Sequence, residues 1–145
     1  VRINRLGKNI EKRFAHRYYN EIGLGIDFTA RDLQQECKSK GLPWEKAKAF
    51  EGSAPLGSFI KIDSNTAHDN LKLELKVNGE TRQKGNTKDM LFSIDDIIAY
   101  ISQFFTLKIG DLIFTGTPAG VGPVAEGDVL EGFLNDQQLL TLRIK

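Results

Sequence analysis

The stretch Ile26-Asp27-Phe28-Thr29-Ala30-Arg31-Asp32-Leu33-Gln34 places an acid at the end of an apolar strand and a polar cluster on the helix that follows. Over residues 21–28, apolar side chains alternate with polar residues and glycines, so a strand is predicted in which Asp27 shares a face with two glycines. Glycine inside a strand loses packing and chain entropy. The pair therefore indicates that a ligand, or merely another strand, approaches the backbone there.

A helix is predicted directly after this strand. Thr29 is typical of a helix N-cap, and Asp32 three residues later makes a short variant of the capping box. Ala30, Leu33 and Cys37 supply an apolar stripe, so Cys37 is expected to pack in the core rather than act as a nucleophile. As the single cysteine of the chain it excludes an intramolecular disulfide, and it indicates a reducing, cytoplasmic compartment.

Arg31 and Gln34 share another face of the same predicted helix. Their i,i+3 spacing brings a guanidinium and an amide side by side, where they can hold a carboxylate or carbonyl of a small molecule. A structural interpretation is equally open: Arg31 pairs with Asp32 or Asp27, and Gln34 is solvated.

A second polar loop occupies residues 115–122, after an apolar strand predicted at residues 112–114. Its threonines, glycines and prolines can present hydroxyls and backbone N–H groups to an anion. No Gly-Lys-Ser/Thr follows, and the glycine order does not match a dinucleotide fingerprint. The loop therefore indicates anion binding without the signature of a nucleotide site.

Four separated motifs occur in a specific order. They are Asp27-Phe28-Thr29-Ala30-Arg31-Asp32-Leu33-Gln34, the segment around Lys48 that leads to Ala54-Pro55-Leu56-Gly57, the pair Asn78-Gly79-Glu80 and Gly85-Asn86-Thr87-Lys88-Asp89-Met90, and Thr115-Gly116-Thr117-Pro118-Ala119-Gly120-Val121-Gly122. In order and spacing they resemble the fumarylacetoacetate hydrolase family, closest to its bacterial acylpyruvate hydrolase and hydroxyhepta-dienedioate isomerase branch. The resemblance implies an α+β, mostly β fold, a mixed β-sandwich roll with a few short helices, in which residues 1–145 form a single catalytic domain.

The resemblance also implies roles for individual residues. Asp27 matches the family's aspartate ligand for a divalent ion, usually Mg²⁺, with Mn²⁺ as the alternative. Glu131 falls about where a further active-site glutamate lies in some members. The other positions that match substrate-site residues are Arg31, Gln34, Lys48, Gly116 and Thr117. Among these, Lys48, Gln34 and Thr117 are the expected catalytic residues, with Lys48 as a positive donor beside the developing oxyanion.

Family members also carry two metal-binding glutamates in a Glu-x-Glu strand and a His/Glu pair on a short lid helix, upstream of the segment that begins here. Residues 1–6 resemble the tail of that strand, so the resemblance implies an N-terminal truncation in which the first metal-binding strand is missing or incomplete. One aspartate does not hold Mg²⁺ tightly, because the ion prefers about six oxygens. His16 and His68 lie in polar stretches typical of surface residues and are not expected to replace the missing pair.

Two classes of function follow. The first is a divalent-metal-dependent hydrolase that cleaves a C–C bond in an acylpyruvate-type 1,3-diketo acid through an enolate, or an isomerase or decarboxylase of the 2-hydroxyhepta-2,4-diene-1,7-dioate type that shares this intermediate. The second is a catalytically incomplete fragment that acts as a scaffold or binding module. Hydrolysis is favoured. A homodimer is expected, because dimers are usual in the family and exposed sheet edges pair with other chains.

Charge and composition argue against two classes of binding partner, nucleic acids and membranes. The formal net charge is +1 over 145 residues, so there is no electrostatic case for nucleic acid or an anionic membrane. No apolar run approaches the roughly 20 residues of a membrane helix. The expected partner is a small keto or enol acid.

The rest of the sequence predicts structural elements that support the site. Alternating residues 71–77 and 80–83 flank Asn78-Gly79, a strong hairpin signal, and a second hairpin is predicted from residues 129–134 and 139–144. Ser93 and Asp96 form a capping box for a helix whose buried stripe is expected to be Ile97, Ile98, Ile101 and Phe105.

Overall fold

A computed structural model of the chain describes residues 1–62 and 69–145. His68, predicted to be a surface residue, lies outside the described residues. The fold divides into two compact units, one formed by Gly25–Leu56 and a larger one formed by Val1–Leu24 with Gly57–Lys145. Assignment of residues 1–145 to a single domain stays a prediction.

The fold is α+β and mostly sheet, as expected. The strands are β1 (Arg2–Ile3), β2 (Tyr19–Gly25), β3 (Leu56–Lys61), β4 (Lys72–Val77), β5 (Glu80–Asn86), β6 (Val129–Leu134) and β7 (Gln137–Arg143). The helices are α1 (Lys12–Ala15), α2 (Arg31–Lys40), α3 (Glu45–Lys48) and α4 (Ile94–Phe104), with one 3-10 turn at Thr87–Asp89. Within the described ranges, none of the helices has the length and apolar character needed to span a membrane.

The strands form two sheets. One has the order β1-β2-β3, and the other, β5-β4-β6-β7, is antiparallel throughout. Gly132 of β6 brings the sheets of the larger unit together, because a Cβ there would lie 3.1 Å from a methyl of Leu24 on β2. The buried core of this unit consists of Ile3, Ile10, Ala15, Tyr19, Ile22, Ile62, Leu71, Ile94, Ile98, Leu107, Ile113, Leu134 and Leu139.

Both predicted hairpins are confirmed. Asn78 and Gly79 adopt φ of 52° and 82°, and Asn135 and Asp136 adopt 47° and 66°, so each loop is a two-residue turn of the kind that matches strand twist. The return strand of the second hairpin begins at Gln137 rather than at residue 139. A turn this short lets pairing start at once, and Gln137 lies directly opposite the last residue of β6.

Helix α4 begins as predicted. Ser93 Oγ accepts from the Asp96 backbone N–H, and the Asp96 carboxylate accepts from Ser93 N–H at 3.2 Å. Ile98 is fully buried, but the expected burial of Phe105 is wrong, because this residue is 66% exposed. It caps the helix in an extended conformation (φ −120°, ψ 141°), which carries its ring off the buried stripe.

Two other local predictions were wrong or need adjustment. Strand β2 ends at Gly25, so Asp27 lies beyond the strand rather than within it. No strand forms at residues 112–114. Leu112 makes only an isolated bridge to Arg2, because the strand it would pair with, β1, is two residues long.

The isolated histidine and cysteine behave as expected. His16 is exposed at the C-terminal end of α1, where a surface residue was predicted. Cys37 is buried, with 7% of its surface exposed, and is a free thiol on the packed side of α2.

Candidate functional site

The loop after β2 is fixed by backbone hydrogen bonds within the Gly25–Leu56 unit. Ile26 N–H donates to Pro55 O at 3.1 Å, and Phe28 N–H donates to Ser53 O at 2.8 Å. Two residues on, the N–H of residue 30 donates to Ala47 O of α3 at 3.1 Å. These bonds hold the Asp27 loop beside the short helix that carries Lys48.

Asp27, Thr29 and Lys48 form the first polar cluster, called here the Lys48 cluster. Lys48 Nζ donates to Asp27 Oδ2 at 2.7 Å and to Thr29 Oγ1 at 2.8 Å. The Thr29 hydroxyl donates its own proton to Asp27 O at 3.4 Å. An ammonium has three N–H groups, and these two acceptors use two of them within the described chain, so one remains for an oxygen of a ligand.

The predicted N-cap role of Thr29 is wrong. Helix α2 begins at Arg31, its N-cap is Ala30, and no side chain caps it. The physical reason is that the Thr29 oxygen accepts from Lys48, 19 residues away in sequence, and therefore does not fold back onto the helix.

The Lys48 cluster is open to solvent. The side chain of Lys48 is 34% exposed and that of Asp27 is 56% exposed. An ion pair this accessible contributes only about 0.2–1 kcal/mol to stability. Its main consequence is geometric, because two fixed acceptors restrict where the ammonium points.

Arg31 and Gln34 meet as their spacing predicts. The guanidinium Nη1 of Arg31 donates to Gln34 Oε1 at 3.0 Å. The structure does not show the alternative in which Arg31 pairs with Asp32 or Asp27. With Oε1 engaged, the Gln34 amide nitrogen and the remaining guanidinium N–H groups are donors for a carboxylate or carbonyl oxygen.

A second polar cluster lies in the larger unit, where the loop over residues 115–122 covers the edge strand β5. Gln83 Nε2 donates to Thr117 Oγ1 at 2.8 Å and to Pro118 O at 2.9 Å. Gly116 adopts φ of 109°, a conformation that side chains rarely take, so the backbone bends sharply just before Thr117. We call Gln83, Thr117 and Pro118 the Thr117 cluster.

The sequence did not single out Gln83. It lies in the predicted return strand of a hairpin, and its partners are 34 and 35 residues downstream. Gln83 could have been recognised only from its place on the edge strand of the sheet. That place follows from the strand order and not from a local sequence pattern.

Glu131 is not brought together with Thr117. Gln83 pairs with Leu75 of β4, whereas Glu131 pairs with the next residue of β4. Successive residues of a strand point to opposite faces, so the sheet lies between Glu131 and the Thr117 cluster. Glu131 instead accepts a hydrogen bond from Gln138 Nε2 at 3.2 Å. Its assignment to a substrate site stays a prediction.

The described residues do not fit a divalent cation site by themselves. Within residues 1–62 and 69–145, no three His, Cys, Asp or Glu side chains gather closely enough to hold a metal. Asp27 offers one carboxylate, and Lys48 occupies one of its oxygens. Mg²⁺ and Mn²⁺ prefer about six ligands, mainly oxygens, and these residues supply too few of them.

Comparison with known proteins gives a consistent match. Residues 1–145 match the family model described as fumarylacetoacetate hydrolase, C-terminal. The mitochondrial oxaloacetate tautomerase of Mus musculus is 44% identical over the whole chain, which covers 66% of that relative. The chain thus spans just under two thirds of the length of this curated relative.

Solved structures agree. A fumarylacetoacetate hydrolase family protein from Yersinia pestis CO92 has a TM-score of 0.94 at 43% identity, over 100% of this chain and 66% of that one. Fumarylpyruvate hydrolase from Pseudomonas aeruginosa, solved with Mn²⁺ and pyruvate, has a TM-score of 0.91 at 36% identity, over 99% and 61% of the two chains. This chain belongs to the fumarylacetoacetate hydrolase family, whose members include hydrolases, isomerases and tautomerases.

Proposed function

We propose that this chain carries the enolate-stabilising group of an enzyme that interconverts the keto and enol forms of a short 2-oxo dicarboxylic acid of the oxaloacetate type. The observation that carries the proposal is the Lys48 ammonium, fixed between Asp27 Oδ2 and Thr29 Oγ1 with one N–H left over. Family membership and the name of the Mus musculus relative support the same reaction class.

The reaction needs a positive group near one oxygen. In keto–enol exchange a base takes one proton from the carbon beside the ketone, and the carbonyl oxygen gains one proton. While the proton is away, negative charge develops on that oxygen, and a preorganised donor stabilises it. Lys48 is such a donor, because its two protein partners hold it in place before a substrate arrives. Asp27 and Thr29 orient Lys48 in this proposal.

A dicarboxylic acid also needs groups that bind its carboxylates. The Arg31 and Gln34 pair offers charged and neutral donors side by side, and Thr117 with the backbone N–H groups around Gly116 offers neutral ones. The assignment of both clusters to one reaction rests on membership in the family. Gln34 and Thr117 remain proposed catalytic residues on that basis.

Hydrolysis of a C–C bond in an acylpyruvate is the second candidate, and it was the one the sequence favoured. The Pseudomonas aeruginosa relative is a fumarylpyruvate hydrolase solved with pyruvate, which supports it. Its leaving group is also an enolate, so Lys48 would serve the same purpose. The acylpyruvate and hydroxyhepta-dienedioate branch would be the correct one in that case.

Initial rates separate the two candidates. The full-length protein is mixed with the enol of oxaloacetate and, separately, with fumarylpyruvate, and ultraviolet loss of the enol and release of pyruvate are followed. Tautomerisation predicts fast enol loss from oxaloacetate without cleavage of fumarylpyruvate. Pyruvate release from fumarylpyruvate at a comparable rate would instead favour the hydrolase, and activity on neither would refute both.

Metal dependence, assembly and location are separate proposals. We propose Mg²⁺ or Mn²⁺ as cofactor with Asp27 as one ligand, a homodimer, and a cytoplasmic protein. Calorimetric titration of each ion in the presence of oxalate, with Asp27→Ala as control, tests the first. Light scattering at high concentration tests the second, and a monomer there would refute it.

A further inference from the structure

We infer that Gln83 is a positioning residue that turns the Thr117 hydroxyl into a hydrogen-bond donor aimed at the distal carboxylate of the substrate. The inference rests on the proposed function, because it gives Thr117 a carboxylate to bind. Gln83 lies outside the four motifs that resemble the family.

The orientation of the Gln83 amide follows from Pro118. The carbonyl oxygen of Pro118 can only accept a hydrogen bond, and it lies 2.9 Å from Gln83 Nε2. The atom on that side must therefore be the nitrogen, since an amide oxygen in its place would face another acceptor. The backbone of the loop thus selects one of the two amide orientations.

The orientation of the Thr117 hydroxyl follows in turn. The same Gln83 Nε2 lies 2.8 Å from Thr117 Oγ1, so the threonine oxygen acts as an acceptor in this bond. A hydroxyl has one proton to donate, and Thr117 has no acceptor for it among the described residues. Thr117 is exposed, so this proton is available to a ligand.

The loop that carries Thr117 is seated on the strand that carries Gln83. A Cβ at Gly85 would lie 2.9 Å from the Pro118 ring, and a Cβ at Gly120 would collide with the carbonyl oxygen of Arg82. The two glycines let the loop approach β5 closely. The bonds from Gln83 are therefore part of a packed contact rather than a single exposed hydrogen bond.

The test uses the full-length protein and two substrates. Oxaloacetate has a distal carboxylate, and acetylpyruvate has a methyl ketone in its place. Gln83→Met removes the donor while keeping the shape, Thr117→Val removes the hydroxyl, and Gln137→Met is a matched glutamine control on the exposed side of β7. KM, kcat and calorimetric dissociation constants are measured with both substrates, so binding is tested even where turnover is slow.

We expect Gln83→Met to raise KM and the dissociation constant for oxaloacetate about tenfold, because a charge-assisted hydrogen bond loses its alignment. The values for acetylpyruvate, kcat and the Gln137→Met control should stay at wild-type levels. Thr117→Val should affect the same constants at least as strongly.

Gln83→Glu adds a readout that a purely structural role would not move. In this variant the ionised carboxylate faces the Pro118 carbonyl and accepts the Thr117 proton, so oxaloacetate binding should be weakest at alkaline pH. As the pH falls, the introduced carboxyl gains a proton that it can donate, and KM should return toward the wild-type value. The wild type should show no such trend.

The outcomes distinguish a failure of the role proposed for Thr117 from a failure of the inference about Gln83. If Thr117→Val leaves oxaloacetate binding unchanged, the proposed carboxylate role of Thr117 fails. If Thr117→Val weakens binding but both Gln83 variants bind oxaloacetate like the wild type, or lose both substrates equally, the inference about Gln83 is overturned while the proposed function stands.

Discussion

Thr29 and Thr117 both accept a hydrogen bond from a side-chain nitrogen, yet they leave their clusters in opposite states. Thr29 accepts from Lys48 and donates its one proton to Asp27 O, so its hydroxyl has no proton left for a ligand. Thr117 accepts from Gln83, and among the described residues no acceptor bonds to its own proton, which is therefore available to a ligand.

The two clusters therefore offer a ligand different hydrogen-bond donors. In the Lys48 cluster the neutral hydroxyl serves the charged group, and the free donor belongs to the ammonium. In the Thr117 cluster the neutral amide serves the hydroxyl, and the free donor belongs to the threonine. The free donor of the Lys48 cluster therefore carries a charge. The free donor of the Thr117 cluster is neutral, and its direction depends on the packing of a loop against β5.

The largest effect is expected from Lys48→Met, which removes the charge but keeps much of the stem. We expect kcat for oxaloacetate tautomerisation to fall by about 100-fold or more, as for loss of an oxyanion donor. Lys46→Met, on the same short helix and exposed, is the control and should keep wild-type kcat. Equal kcat values in the two variants would remove Lys48 from the reaction.

Asp27→Asn should have the next largest effect. The amide oxygen can still accept from Lys48, but without charge, so we expect a loss in kcat of about 10- to 100-fold, as for other groups that orient a reactive side chain. The matched control is Glu36→Gln, which alters the Lys40–Glu36 ion pair of 2.7 Å on α2 in the same unit. Both variants should unfold within about 1 kcal/mol of the wild type, because both ion pairs are solvent-exposed. A large loss of stability in Asp27→Asn alone would contradict this interpretation.

Gly120→Ala tests the packing of the second cluster. Gly120 and Gly127 adopt similar φ, 101° and 91°, but only a Cβ at Gly120 meets backbone, whereas Gly127 has open space. Both alanines carry backbone strain of about 1 kcal/mol, and Gly120→Ala should cost about 1–3 kcal/mol more, with a raised KM for oxaloacetate. Thermal unfolding compares the two variants, and equal losses would mean that the loop does not need its close approach to β5.

The smallest effect on activity is expected from Ser93→Ala, because Ser93 belongs to neither cluster and its side chain bonds to Asp96. Loss of this N-cap should lower stability by about 1 kcal/mol and leave kcat and KM unchanged. Hydrogen bonds from Lys12 and then Ser93 hold the pKa of Asp96 below its usual range. A depressed folded pKa stabilises the protein above the unfolded pKa, about 4, and this contribution is lost as the pH falls below it.

Chemical denaturation at neutral and acid pH checks this sign. The difference between Ser93→Ala and the wild type should shrink on acidification, as Asp96 gains a proton in both. A difference that grows toward acid pH would show that Asp96 is not the acceptor that matters at this cap.

The features that sequence predicted correctly are those whose partners are close along the chain. The two hairpins depend on turn pairs such as Asn78 and Gly79, the α4 cap depends on residues three apart, and Arg31 reaches Gln34 across one turn of helix. Local backbone geometry specifies each of them without knowledge of the fold.

The features that sequence missed depend on distant partners. The Thr29 hydroxyl accepts a hydrogen bond from Lys48, 19 residues later in the chain. Thr117 accepts one from Gln83, which lies 34 residues earlier on the edge strand β5. The ion pair between Asp27 and Lys48 joins residues 21 apart, so local spacing could not predict it. Resemblance to the family identified both residues instead. Residues 112–114 have the composition of a strand but lack a partner long enough to make one.

The decisive experiment is proton NMR of oxaloacetate in D₂O with the full-length protein, its Lys48→Met variant and no protein. Enolisation exchanges the protons of the carbon beside the ketone for deuterium. The proposal predicts exchange well above the spontaneous rate with the wild type, and near the spontaneous rate with Lys48→Met. Exchange at the spontaneous rate with the wild type, or equal acceleration by both proteins, would contradict a role for Lys48 in stabilising an enolate.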